Sequence, residues 1–481
     1  MTALPLAIYW GLALWGLFSR RPVLIWLFFA MLPFGSLAVI PPAASGGLSL
    51  IAANMTVALI IVRQFVLTPN GLPSLTRIAL PPGRGGVLLA YWIVATVVTL
   101  FAPRLFSGQI EVTPMAITGF MQTAALRPSL QNISQLAYVT VSVFAVFAFA
   151  RAFQHPAMRS VLVRGLMLAA TLTLATGALD LASTYVPVDP LMAPFRTASY
   201  RMLDNELLAD GAKRVTGLMP EASSYGALVL MLMSLLYFLR RSVVDPGRRA
   251  AITLLLLGLG LFLVLSTSSA GYVGIAVFLV VIVLEWLVRI LGIERSALAR
   301  RGTIPEFTIA AAGLGLLALA AILSPAMFSP VFERLDTMVF GKTQSLSYLE
   351  RSMWTRTAYE AGLSSHLLGV GLGSVRASNF AAAIFGSTGL LGFVLFFGFV
   401  VQSLLRKAPD SDPQAQAMTS ALKWSFAPVF AVSLLIGTTP DFGEREALRW
   451  GLLLALTLSP PLLHATARRR VGPSGAGGTA G

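Results

Sequence analysis

Cysteine is absent from the 481 residues, which removes disulfide frameworks, thiolate nucleophiles and cysteine-ligated metals together. Histidine is nearly as scarce, and His155, His366 and His464 are too scattered to build an imidazole cage, so no metal site is expected. Charge is short as well: 11% of residues are Asp, Glu, Lys or Arg, against 56% hydrophobic residues and a mean hydropathy of +0.79. That balance excludes an ordinary water-soluble domain. The charge that exists leans one way, with 35 Lys and Arg against 20 Asp and Glu and a formal net charge of +15. These basic residues stand at the ends of apolar runs and not in one block. The excess therefore reads as the positive-inside pattern, with membrane lipids as its bland partner, and nucleic acid is not expected.

What the chain has in abundance is apolar runs of about 17–25 residues, each long enough for a hydrocarbon core of roughly 30 Å. Continuous runs satisfy their backbone groups as helices, whereas barrel strands would alternate. The expected fold is an all-α, polytopic integral membrane protein with about 12–14 spans at the usual span length. Residues 1–465 form one membrane domain, and residues 466–481, rich in Gly, form a disordered cytoplasmic tail. The first run, Leu4–Phe18, lacks a basic leader and a small-residue cleavage site, so it reads as a retained helix.

Basic turns at Arg20-Arg21, Arg77 and Arg84, Arg151 and Arg159, Arg240 to Arg249, Arg295 to Arg301, and Arg406-Lys407 all fall on one side, the cytoplasmic one. Two long connections fall on the other side, at about 183–219 and 325–378. They carry the anomaly, because outside arginines run against the rule. The first holds Arg196, Arg201, Lys213 and Arg214 and leads into Glu221 at a helix start. The second holds Arg351, Arg356, Glu360, His366 and Arg376 around Gly369, Gly371 and Gly373.

Guanidinium groups match phosphate oxygens bidentately and stay charged, so clustered arginines at a membrane surface point to a phosphate-bearing ligand. Arg351 and Arg376 are the first candidates, then Arg214, with Arg196, Arg201 and Arg356 behind them. The glycine turn is no nucleotide-binding loop, since its spacing is G-x-G-x-G and no strand precedes it. Gly371 and Gly373 bring backbone close either to a ligand or to another helix. Ser378 is a candidate cap for the following helix, which is expected to break near Gly386-Ser387-Thr388. Arg356 with Glu360, and Glu285 with Arg289, are spaced for helical ion pairs. Glu221 either complements a helix dipole or serves as a base, and His366 is a weak site candidate.

Three segments together resemble the superfamily of O-antigen polymerases and O-antigen ligases: Gly217–Gly226 (GLMPEASSYG), Ser266–Gly274 (STSSAGYVG) and Arg351–Ser374, which joins R-x-x-W to HLLGVGLGS. The likeness spans Arg214 to Leu405, and the Pro-Glu-Ala-Ser-Ser-Tyr run is most similar to exopolysaccharide and capsular polysaccharide polymerases. Two positions depart from the ligase pattern: Ser269-Ala270 stand where ligases carry arginine, and Ser378-Asn379 where they carry histidine.

The resemblance implies an inverting membrane glycosyltransferase of the bacterial inner membrane that moves a glycan from a polyprenyl-diphosphate carrier to a lipid-linked repeat unit at the periplasmic face. It implies no cofactor, Glu221, Arg351 and Arg376 as catalytic groups, and other polysaccharide export proteins as partners. A ligase-type transferase is the near alternative. A lipid-linked oligosaccharide flippase or transporter is the distant one, and helix interiors almost free of charge speak against it.

Overall fold

The computed structural model describes residues 3–40, 50–115, 121–198, 213–293 and 346–458, with isolated positions between 298 and 308. The chain is an all-α polytopic membrane protein. Its helices are α1 (Ala3–Phe18), α2 (Val23–Met31), α3 (Ala52–Val62), α4 (Gly71–Ala79), α5 (Val87–Leu105), α6 (Leu130–Ala152) and α7 (Ala157–Ala182). They continue as α8 (Ala222–Leu239), α9 (Pro246–Leu265), α10 (Ser269–Ile290), α11 (Leu346–Ser364), α12 (Phe380–Leu405), α13 (Pro413–Trp424), α14 (Phe426–Ile436) and α15 (Gly443–Leu458). Among the described residues the only strand pairing is a short antiparallel one, Glu111–Val112 against Ala124–Ala125.

Among the described residues eight helices are long and apolar enough to cross a membrane, or nine if the bent unit built from α3 and α4 is one span. The expected spans Phe307–Ser324 and the tail 466–481 lie outside the described residues. Exposed Leu254, Leu257 and Leu261 form a stripe along α9, at 72%, 69% and 58%. In water such a stripe would be costly; in lipid it is the expected outer surface. The interior is packed by rings, with Phe399 and Phe426 both against Trp450, and Phe396 against Phe442. Gly451 lets α15 press on α6, since a Cβ there would lie 2.6 Å from the Phe149 Cβ.

The basic turns meet one another on a single face. Arg63 donates to the Arg21 carbonyl at 3.2 Å, Arg151 to that of Pro69 at 3.0 Å, and Arg406 to that of Gly83 at 3.1 Å. Arg159 clamps Asp412 through two bonds at 2.9 and 2.5 Å, and Gln414 beside it donates to the Ser242 carbonyl. On the same face Arg241 bridges Glu285 at 2.6 Å and Glu306 at 2.8 Å, while Arg289 holds Glu285 at 2.8 Å, four residues away as its spacing predicts.

Three segments differ from the expectation. The connection Thr68–Gly85 contains α4, which leaves the line of α3 at 111°. Val23–Ile40 is helical only to Met31. The largest difference is α12, whose break falls at Gly389, with φ 68° and ψ −170°, a conformation essentially reserved for glycine. The rings of Phe380 and Phe396 lie 5.6 Å apart. A straight helix would separate positions sixteen residues apart by about 24 Å. The element therefore folds back on itself as a V with Gly389 at its apex.

Candidate functional site

A cavity of about 1410 Å³ opens at the ends of α8, α10 and α14 that lie away from the basic face, closed on its other sides by α11 and the short arm of α12. Its wall includes Arg214, Glu221, Arg351 and Arg356, the serines Ser268 and Ser269, and Tyr348. The wall also includes apolar side chains, Leu363, Leu367, Phe385, Leu390, Phe393 and Leu435. The cavity thus offers both charged and hydrocarbon surface.

The approach to Glu221 is fixed by Asp180, fully buried at the end of α7. Its carboxylate accepts from the Thr216 and Gly217 amides at 2.7 and 2.9 Å, from the Thr216 hydroxyl at 3.1 Å, and from Lys213 at 2.8 Å. Gly217, at φ +59°, then turns the chain beneath the Tyr225 ring, whose hydroxyl donates to the Thr173 carbonyl at 3.0 Å. Arg214 is set against the α9–α10 turn by bonds from its Nε and NH2 to Thr267 Oγ1 and O, at 3.2 and 3.4 Å. Glu221 caps α8 by position and accepts from the Ser223 hydroxyl.

Arg351 sits on α11 facing the cavity, and among the described residues it forms no ion pair. Arg376 is not among the residues that line the cavity; its guanidinium lies over the Trp354 ring, 3.7 Å from the centroid. It too has no ion pair among the described residues, and its buried Nε finds no hydrogen-bond acceptor. Burial pushes the Arg376 pKa below its ordinary value, Arg351 adds to that push, and Glu350 and Glu221 oppose it. A partly desolvated guanidinium near another one is a group that an anion would stabilise. Arg356 also lines the cavity, but it is paired with Glu360 at 2.7 Å and is 81% exposed.

Other candidates stand elsewhere. Arg196 is held 3.6 Å from Asp180 and donates to the Gly217 carbonyl, so it braces the segment that carries Arg214. Arg201 lies outside the described residues. His366 is exposed, at φ 53°, with its ring 6.5 Å from that of Phe106 and away from the cavity wall. Gly371 and Gly373 approach helices and not the cavity: a Cβ at the first would lie 2.9 Å from Pro103, and at the second 2.4 Å from the Gln131 carbonyl oxygen.

The glycine turn has a different task from ligand contact. Val370 and Gly371 donate to the carbonyls of Gly386 and Ser387 at 2.9 Å each, and Leu390 donates back to Leu367 at 2.9 Å. These bonds satisfy the backbone at the V apex. The cap of α12 is Asn379, whose side chain accepts from the Ala382 amide at 3.1 Å, and not Ser378.

Among the described residues no group of three His, Asp or Glu side chains is placed to hold a metal ion. Asp180 escaped the reading of the sequence, although its signal was available, as a lone acid closing an apolar span. Trp354 was noted only as the W of R-x-x-W; its stacking on Arg376, 22 positions away, depends on the fold.

No protein-family model matches the chain, and no curated protein matches it.

Proposed function

We propose that the protein is a membrane glycosyltransferase that polymerises lipid-linked glycan units, with the cavity as its donor site. The observation that carries the reading is Arg351, which lines a cavity with many apolar side chains and has no ion pair among the described residues, with Arg376, outside that lining, close enough to interact with it electrostatically. A polyprenyl diphosphate has the matching parts: a doubly anionic head for the arginines and a long hydrocarbon for Leu363, Leu367, Leu390 and Leu435. The basic face is cytoplasmic by the positive-inside rule, which puts the cavity at the periplasmic surface.

In the proposed reaction a hydroxyl oxygen of the acceptor sugar attacks the anomeric carbon of the donor glycan. A new C–O bond forms as the anomeric C–O bond to the diphosphate breaks, and its electron pair leaves with the diphosphate. Arg351, Arg376 and Arg214 stabilise the negative charge that gathers there, an effect of preorganised cations that needs no rearrangement during the reaction. Glu221, in the cavity wall, takes the hydroxyl proton. The test is conversion of a purified lipid-linked repeat unit into a ladder of longer products by the purified protein. A ladder lost in Arg351→Ala is the expected result. Lipid-linked units translocated across vesicles without elongation would instead support the transporter reading.

A further inference from the structure

On the face opposite the cavity, Arg63, Arg77, Arg84, Arg151 and Arg406 gather around the bent α3–α4 unit, and among the described residues none of them forms an ion pair. Their hydrogen bonds go chiefly to backbone carbonyls. Arg77 reaches Pro73 at 3.2 Å, Arg84 reaches Arg77 at 2.8 Å, Arg151 reaches Gln64 and Pro69, and Arg406 reaches Gly83 and Arg84. A carbonyl oxygen accepts a hydrogen bond but does not cancel a charge. Arg77 and Arg151 lie near enough to repel one another.

The same unit exposes hydrocarbon. Val66, Leu67, Leu72 and Leu80 are 71%, 45%, 64% and 60% exposed, which no partner within the described protein relieves. Because α4 turns 111° from α3, it lies across the bundle and not along it. A short helix in that attitude, carrying Leu72, Leu75 and Arg77 and flanked by Arg63 and Arg84, has the attributes of an element lying in the membrane interface. Free phosphate would neutralise the arginines and leave the leucines in water. A phospholipid of negative headgroup satisfies both.

We propose that α4 and its flanking turns form a binding surface for anionic phospholipid on the basic face, with Arg77 and Arg151 holding the headgroup and Leu72 and Leu80 seated among the acyl chains. This surface is independent of the cavity and of the reaction assigned to it. Arg77 is exposed and bonded only within its own helix, so Arg77→Gln leaves the fold intact, whereas Arg151→Gln also removes the bonds to Gln64 and Pro69.

The experiment titrates the purified full chain in neutral detergent with phosphatidylglycerol or phosphatidylcholine and counts bound lipid by native mass spectrometry. Phosphatidylglycerol is expected to bind at least tenfold more tightly. Each arginine near a charged surface contributes about a fivefold factor, so Arg77→Gln should weaken phosphatidylglycerol about fivefold and the double variant with Arg151→Gln about thirtyfold, with phosphatidylcholine unchanged. Equal affinity for the two lipids, or unchanged phosphatidylglycerol binding in folded Arg77→Gln, overturns the proposal. Displacement of the lipid by millimolar inorganic phosphate also overturns it, since the site would then belong to a free anion.

Discussion

The Arg376 guanidinium rests 3.7 Å from the centre of the Trp354 ring, and this contact orients a cation near Arg351 without neutralising it. A carboxylate partner would hold the arginine as firmly but compete with any anionic ligand. An aromatic face orients the charge and leaves its hydrogen-bonding edge free.

Removing the platform should therefore resemble removing part of the charge. Trp354→Ala is expected to lower polymer formation about 2- to 30-fold, the range set by a cation–π contact of about 0.5–2 kcal/mol, with Trp354→Phe retaining most activity. Arg376→Lys should recover only part of what Arg376→Ala loses, because the ammonium has no fork. Activity at matched membrane protein levels decides it, and full activity in Trp354→Ala would show that the stacking has no functional role.

Arg351 and Arg356 sit on the same helix and line the same cavity, yet they should behave differently. Arg351 has no ion-pair partner among the described residues, so Arg351→Ala should cost roughly 1.5–3 kcal/mol of transition-state stabilisation, or about ten- to a hundredfold in rate. Arg356 is exposed and already paired with Glu360, so Arg356→Ala should stay within about twofold of the parent. Rates measured on purified variants in one detergent separate the two; the reverse ranking would remove Arg351 from the proposed site.

Asp180 should act on activity through position. Asp180→Asn keeps the size but loses the charge that holds Lys213, and it turns one acceptor towards donors that need two. We expect a fall in kcat with protein still in the membrane, and partial recovery in a double variant with Lys213→Met, which removes the orphaned ammonium. A double variant no better than the single one would point to Asp180 as a simple packing requirement.

The Arg159–Asp412 clamp predicts a pH dependence of stability. Burial pushes the Asp412 carboxyl up, but the Arg159 bonds and the Ala415 amide outweigh it and hold the pKa below its ordinary 3.8. A carboxyl depressed in the folded state contributes stability above its ordinary pKa and loses it as pH falls through the lower, native value. Asp412→Asn should thus lower Tm at pH 7, by an amount that shrinks as both proteins are taken below pH 3.8. A Tm difference independent of pH would exclude the charge as its origin.

Because cysteine is absent, single-cysteine labelling has no background. Tyr185, 84% exposed after α7, should react as Tyr185→Cys with an impermeant thiol reagent added on the side of the membrane away from the cytoplasm, and Val244→Cys, beside the basic cluster, should not. The opposite pattern would invert the molecule and place the cavity in the cytoplasm.

The membrane class and most of the described spans were legible because apolar length is a local property, though Val23–Ile40 was read too long; so were Glu285 with Arg289 and Arg356 with Glu360, whose spacing brings them together on any helix. The shape of α12 was not. Gly386, Gly389 and Gly392 recur at helical spacing, so the sequence marks the neighbourhood of the break without saying which glycine bends. Only the hydrogen bonds from the Leu367–Gly371 turn select Gly389, and they join segments about twenty residues apart. Arg351, Arg214 and Glu221 were found from their place on the outer connections, whereas Gly371 and Gly373 shared the segment but serve helix packing.

The folded-back α12 also bears on the bilayer around the protein. Its long arm runs only from Leu390 to Leu405, about 24 Å at the helical rise, while a hydrocarbon core is roughly 30 Å thick. Lipid against that arm must thin or the arm must carry polar groups below the surface. Thinning would draw the headgroup plane down towards Leu390, one of the residues that line the cavity.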